Sequence, residues 1–205
     1  LLADVGVFGA PNSGKSTFVN LTTESKAKVA DYPFTTTVPN LGVVFSDHNK
    51  SFVLADIPGL IRGASSGAGL GLQFLRHIQR TRLLLHFVDF SSQNHSLDLD
   101  KNFQITESII QNINDVMGEI EQFNLDLLKR PRWVVFTKID LVPAELRKQR
   151  WDNLKKRLKE NRVFFISSHS SEGIENLLYE INVWVMDQRK NTSSVILNDI
   201  RFRST

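Results

Sequence analysis

The sequence contains no cysteine. That excludes disulfides, thiolate zinc sites and cysteine nucleophiles together, and it fits a reducing compartment, so a cytoplasmic location is expected. No apolar run reaches membrane-spanning length. The longest, Leu83-Leu84-Leu85-His86-Phe87-Val88, suits a buried strand instead. No basic leader opens the chain, so no secretory signal is expected, and a first residue Leu1 rather than Met leads us to expect a fragment of a longer protein. Internal repeats and low-complexity blocks are missing too. With 41% hydrophobic and 23% charged residues over 205 positions, the chain is long enough to bury the core of one α/β domain. A net charge of +3 permits an anionic partner without demanding one.

Against those absences stands the run Gly9-Ala10-Pro11-Asn12-Ser13-Gly14-Lys15-Ser16, which fits G-x-x-x-x-G-K-[ST]. Two glycines let the backbone curl so that successive N–H groups point at phosphate oxygens. Lys15 can reach the β- and γ-phosphates, and the Ser16 hydroxyl can ligate Mg²⁺. Val5, Val7 and Phe8 lead in as a strand. Thr17-Phe18-Val19-Asn20-Leu21 leaves as a helix whose positive end faces the phosphates. A glycine turn matching by chance would not need that flanking strand and helix. Gly9, Asn12, Ser13, Gly14, Lys15, Ser16 and Thr17 are therefore the candidate phosphate-binding residues.

Strand and helix patterns alternate along the chain, which predicts a three-layer P-loop NTPase sandwich: a mostly parallel six-stranded sheet with helices on both faces. The expected strands are Asp4–Phe8, Leu41–Ser46, Ser51–Asp56, Leu83–Asp89, Trp133–Thr137 and Val163–Ser167. Asp47-His48-Asn49-Lys50 reads as a turn joining the second and third into a hairpin. Helical periodicity runs through Ile109, Ile113, Val116, Ile120 and Phe123, through Leu146, Leu154 and Leu158, and through Ile174, Leu177, Leu178, Ile181 and Val185. The pattern fades after Asp187. Residues 1–187 are expected to form the domain, and 188–205 a linker or tail.

Further motifs fall at expected strand ends, where open α/β sheets bind ligands. Asp56-Ile57-Pro58-Gly59 offers a carboxylate for Mg²⁺ and a glycine N–H for the γ-phosphate. An aspartate opening a turn before proline is common by itself, but an upstream P-loop favours the metal. The stretch Asp31-Tyr32-Pro33-Phe34-Thr35-Thr36-Thr37-Val38-Pro39-Asn40 carries hydroxyls that can complete the metal shell and couple loop order to nucleotide state. Thr137-Lys138-Ile139-Asp140 explains base choice. Asp140 can accept from guanine N1–H and its exocyclic amine, with the Lys138 stem along the base face. Asn is the commoner first residue of that motif, and Thr137 replaces only part of its hydrogen bonding. Ser167-Ser168-His169 can supply a backbone N–H to guanine O6. Thr137, Lys138, Asp140, Ser167, Ser168 and His169 are thus the candidate base-binding residues.

Taken together, the chain resembles the Obg family of GTPases, whose fold is a Ras-like G domain. Beyond the general motifs, the likeness lies in Asp31-Tyr32-Pro33-Phe34-Thr35-Thr36, in Val38-Pro39-Asn40-Leu41-Gly42-Val43-Val44, and in Asp56-Ile57-Pro58-Gly59-Leu60-Ile61 through Gly67-Ala68-Gly69-Leu70-Gly71 to Phe74-Leu75-Arg76-His77-Ile78. The resemblance makes 1–187 an Obg-type G domain and Thr36 the switch I metal threonine, beside Ser16 and Asp56. It marks Phe34, Thr35, Thr36, Pro58, Gly59 and Leu60 as switch residues. It relates Asn12 to potassium-assisted hydrolysis. It also implies GTP and GDP as ligands, Mg²⁺ and K⁺ as cofactors, sensitivity to guanosine tetraphosphate, and association with RNA and protein of the large ribosomal subunit during assembly. Obg proteins carry a glycine-rich N-terminal domain that this sequence does not include, and usually Asn where it has Thr137.

Ras-like proteins place Gln directly after the switch II glycine. Leu60 stands there and cannot orient water, so slow hydrolysis is expected. Two other readings stay open: a P-loop ATPase, and a nucleotide-gated ribosome-binding or stress-sensing module with negligible turnover. A monomer is expected. The cationic run Arg147, Lys148, Arg150, Lys155, Lys156, Arg157 and Lys159 reads as a solvated helix face ahead of an RNA contact. His86 reads as a core histidine, and Trp133, Trp151 and Trp184 as packing residues.

Overall fold

A computed structural model describes residues 3–23, 41–46, 50–56, 81–91, 99–123, 125–158 and 162–202. Six strands form one sheet: β1 (Val5–Gly9), β2 (Leu41–Ser46), β3 (Lys50–Asp56), β4 (Leu83–Asp89), β5 (Arg132–Thr137) and β6 (Val163–Phe165). Their spatial order is β2-β3-β1-β4-β5-β6. The β2–β3 pair is antiparallel, with Leu41 opposite Ala55 and Phe45 opposite Ser51, as the hairpin reading expects. Every other pairing is parallel. The expected turn at 47–49 lies outside the described residues.

The helices are α1 (Lys15–Thr22), α2 (Leu99–Phe123), the short α3 (Leu125–Leu128), α4 (Ala144–Lys155) and α5 (Ile174–Phe202). They cover both faces of the sheet, because its central strands are apolar on both sides. On one face Val5, Val7, Leu83, Leu85, Phe87, Trp133 and Val135 meet Phe18 and Val19 of α1 and Ile174, Leu177, Ile181 and Val185 of α5. On the other, Val88, Val134 and Phe136 meet Ile105, Ile109 and Ile113 of α2 and Leu146 and Leu154 of α4. The i, i+3, i+4 spacing of these helical residues makes a stripe that packs on alternating strand positions. Trp133 meets Phe164 at a tilt and Trp184 edge-on, and Trp151 meets Phe136 and Phe165 edge-on, so all three tryptophans serve packing.

Two boundaries differ from expectation for visible reasons. The last strand ends at Phe165 rather than Ser167, because the Ser167 N–H turns to the Glu172 carbonyl. The last helix runs on past Asp187 to Phe202. Arg189 fastens it to the far end of the sheet, donating to Asp4 Oδ2 at 2.7 Å and to the Ser51 carbonyl at 3.0 Å. Asp4 is buried, and the same oxygen accepts the Val53 N–H. Among the described residues no helix is long and apolar enough to cross a membrane.

Candidate nucleotide-binding site

The loop between β1 and α1 depends on two glycines. Gly9 has φ +148°, and a Cβ there would lie 2.2 Å from the Phe87 carbonyl oxygen of β4. Gly14 has φ +89° immediately before the first residue of α1. Asn12 takes φ +61°, a conformation asparagine tolerates better than most residues. The loop closes through Ser13 N–H to the Ala10 carbonyl at 3.2 Å, and α1 begins with Phe18 N–H to the Gly14 carbonyl. No acidic residue occupies the first turn of α1, so nothing there opposes an anion at its positive end.

The Lys15 ammonium curls back over this loop. It donates to the carbonyls of Gly9 at 2.9 Å and Ala10 at 2.7 Å, and more weakly to Ser13 Oγ at 3.4 Å. Burial lowers its pKa from the usual lysine value, and the Asp56 carboxylate opposes that shift. Ser16 Oγ donates to Asp56 Oδ2 at 2.7 Å. Asp56 is buried at the end of β3, and its other oxygen, Oδ1, has no hydrogen-bond partner among the described residues. An orphaned carboxylate oxygen beside a serine hydroxyl is an all-oxygen donor set that suits a hard divalent cation such as Mg²⁺. Thr17 lies exposed in the first turn of α1.

The candidate base-reading motif starts on the last residue of β5. Thr137 is 2% exposed, and its hydroxyl donates to the Ser13 carbonyl at 2.8 Å, with the Val88 carbonyl at 3.3 Å. Its side chain also lies against Gly14, where an added Cβ would sit 3.6 Å from Thr137 Cβ. One side chain therefore ties the base motif to the phosphate loop. Lys138 turns the chain with φ +58°, and a single 3₁₀ turn, Ile139–Leu141, presents the half-buried Asp140. Farther along, Ser167 is fully buried and its Oγ accepts the N–H groups of His169 at 3.1 Å and Ser170 at 3.0 Å. Gly173, at φ +75°, approaches the Phe165 carbonyl too closely for any side chain. Ser168 is half-buried and His169 exposed.

The structure thus brings Gly9, Asn12, Ser13, Gly14, Lys15, Ser16 and Thr17 together with Asp56 and Thr137. Phe34, Thr35, Thr36, Pro58, Gly59 and Leu60 lie outside the described residues. A cavity of about 910 Å³ also opens on the flank of the loop, lined by Pro11, Asn12, Asp115 and Glu119 among others. Its acids disfavour phosphate, and burial together with Asp115 raises the Glu119 pKa.

Three residues of this neighbourhood were not singled out for it from the sequence. Asp89 ends β4 as Asp56 ends β3, and its Oδ2 accepts the Lys138 ammonium at 2.6 Å. Ser91 supports the same carboxylate. Arg150 corrects the solvated-face reading: it is 1% exposed, donating to the Phe90 and Ser91 carbonyls and to Asn102 Oδ1. Its place on the Leu146–Leu154 stripe at four-residue spacing was the available signal. Its neighbours on the opposite face fit the solvated reading, with Lys148, Lys155 and Lys156 exposed. His86, fully buried and stacked on Phe8, lies 3.4 Å from Arg132 through Nδ1. Burial, with Arg132 and Lys15 nearby, lowers its pKa to about 3, so it is neutral.

Fold and loop geometry together define a P-loop nucleotide-binding domain. Residues 4–138 match the family model described as 50S ribosome-binding GTPase, and the chain belongs to that family. Its fold is similar to that of a nucleolar GTP-binding protein 1 from Plasmodium falciparum (20% identity, TM-score 0.59, 97% of this chain against 92% of that one). It is also similar to the cytosolic domain of the T. maritima FeoB iron transporter (24%, 0.58, 88% against 63%) and to Aquifex aeolicus Era bound to GDP·AlF4⁻ (22%, 0.56, 86% against 55%). The chain therefore spans less than two thirds of the FeoB and Era chains. At these identities the likeness speaks for the fold.

Proposed function

We propose that this chain is an Obg-type nucleotide switch that binds GTP and GDP with Mg²⁺, hydrolyses GTP slowly, and acts in assembly of the large ribosomal subunit. The observation that supports the reading is the 2.8 Å bond from Thr137 to Ser13, which holds the candidate base-reading motif against the phosphate loop. In this reading the loop amides and Lys15 neutralise the charge that develops on the transferred phosphoryl group. Ser16, Asp56 and Thr36 would hold Mg²⁺, which would supply further charge neutralisation. Gly59 meets the γ-phosphate, and the switch residues around it order in response. Asp140 reads the guanine edge, with Lys138 on its face and the backbone near Ser167, Ser168 and His169 toward O6.

With Leu60 where Ras-like proteins carry Gln, intrinsic turnover is expected well below about 1 s⁻¹. A potassium ion near Asn12 would add the missing charge, and equal rates in sodium and potassium buffers would remove that part. The same leucine favours the second reading, a nucleotide-gated ribosome-binding module with negligible turnover. Single-turnover hydrolysis with and without large ribosomal subunits separates the two. Titration of fluorescent GDP, with GTP and ATP as competitors, tests the site itself. GTP should displace the probe and ATP should not. Failure to retain either guanosine nucleotide at millimolar concentration with magnesium overturns the reading.

A further inference from the structure

Asp89 stands where the β4–β5 ladder ends, directly opposite Thr137. Both of its carboxylate oxygens are engaged. Oδ2 accepts the Lys138 ammonium at 2.6 Å, while Oδ1 accepts the Ser91 N–H at 2.9 Å and the Ser91 hydroxyl at 2.6 Å. The carboxylate cannot rotate without losing one set of bonds. The lysine is held at both ends, by its ammonium on Asp89 and by a backbone fixed at φ +58°. The support continues inward. Arg150, buried on α4, donates to the carbonyls of Phe90 and Ser91, and its Nε donates to Asn102 Oδ1 of α2 at 3.0 Å. A path of hydrogen bonds therefore runs from the core between α2 and α4 to the Lys138 ammonium.

An exposed lysine–carboxylate pair usually contributes little, because both side chains keep their freedom. This pair differs. Its side chains are 33% and 26% exposed, and the acid is anchored from the opposite side. A lysine stem without such an anchor would sample many rotamers, and ordering it against a ligand would weaken binding.

Resting on the guanine reading above, we infer that Asp89 is a positioning residue for nucleotide recognition. It captures the Lys138 ammonium so that the methylene stem lies extended as an apolar edge beneath the purine. Ser91 and Arg150 hold Asp89 in place. The lysine then acts through its stem, and its charge is spent on Asp89 rather than on the nucleotide.

The test is a double-mutant cycle read by fluorescent GDP affinity in the full chain, with wild type, Asp89→Asn, Lys138→Met and the double variant. Asp89→Asn alone should weaken binding about tenfold. In the Lys138→Met background it should have no further effect, because it acts only through that lysine. The ratio of GDP to inosine diphosphate affinity should be unchanged by Asp89→Asn, since a stem against the ring face does not read the exocyclic amine. Asp140→Asn should collapse that ratio. Unchanged affinity in Asp89→Asn, or multiplicative losses in the double variant, overturns the inference while leaving the guanine reading standing. If Asp89→Asn does not fold cooperatively by circular dichroism, Ser91→Ala takes its place, with about a threefold loss that disappears in the Lys138→Met background. A Ser91→Ala affinity equal to wild type then overturns it. Wild-type protein that binds no guanosine diphosphate removes both readings together.

Discussion

In the phosphate loop, Lys15 is held by carbonyls five and six residues behind it, whereas at the end proposed to read the base Lys138 is held by a carboxylate 49 residues earlier. The first arrangement is written into one short loop. Its glycines, its lysine and the start of α1 follow each other in the chain, and the geometry follows from them. The second is assembled from β4, β5 and α4, and exists only once the sheet has formed. A site of the second kind is sensitive to its packing.

Four measurements bear on that contrast. Lys15→Ala should have the largest effect, lowering fluorescent GDP affinity by at least about a hundredfold, since it removes the only lysine on the loop and a charge-assisted set of bonds. Circular dichroism should show an unchanged fold, because the defect is local. Loss of folding would mean that the loop is not self-contained. Next is the sheet floor under both ends. His86 has its pKa lowered to about 3 in the folded chain, against an ordinary value of 6.5. Above pH 6.5 it adds nothing. Below that, the unfolded chain takes up a proton that the native state refuses, so stability falls as pH drops through the window from about 6.5 toward 3. The limiting slope is about 1.4 kcal/mol per pH unit. Urea denaturation at pH 7 and pH 5 should show it, and His86→Phe should flatten this part of the profile. An equally steep profile in His86→Phe would remove the assignment.

Arg150→Leu should cost about 2 kcal/mol in urea denaturation, since it completes the leucine stripe but leaves the Phe90 carbonyl and Asn102 Oδ1 without their donor. It should also weaken GDP binding although it lies behind the site. An effect on stability alone would break the link between core and base end. The smallest change is expected from Thr137→Val, which keeps the shape and removes the hydroxyl. Loss of one buried hydrogen bond of about 1 kcal/mol corresponds to roughly a fivefold weaker nucleotide affinity. Affinity equal to wild type would show that the two motifs do not need their tie.

The same contrast explains what could be read from the sequence. Strand and helix positions followed from periodicity, the β2–β3 hairpin from its turn signal, and the parallel pairing of the rest from the alternation of strands and helices. The phosphate loop was legible because its chemistry is contiguous. Thr137, Lys138 and Asp140 were legible as a motif, but what they touch was not. Ser13 lies 124 residues from Thr137, and no local pattern announces that bond. Arg150 was read with its charged neighbours because type alone suggested solvent, whereas burial is decided by phase on the helix. The extension of α5 beyond Asp187 was missed for a related reason. A polar sequence hides a helix whose middle is pinned by one arginine on Asp4 and Ser51.

A hydroxyl has a single proton to give. Thr137 directs it to Ser13 at 2.8 Å, with Val88 a distant second acceptor. An amide in its place would have had two hydrogens and a carbonyl to share among loop, strand and ligand. With threonine, the tie between the phosphate loop and the end of β5 consumes everything the side chain can donate. In the proposed reading, telling one purine from another then falls to the acid three positions on, and to how firmly its surroundings keep the base from sliding.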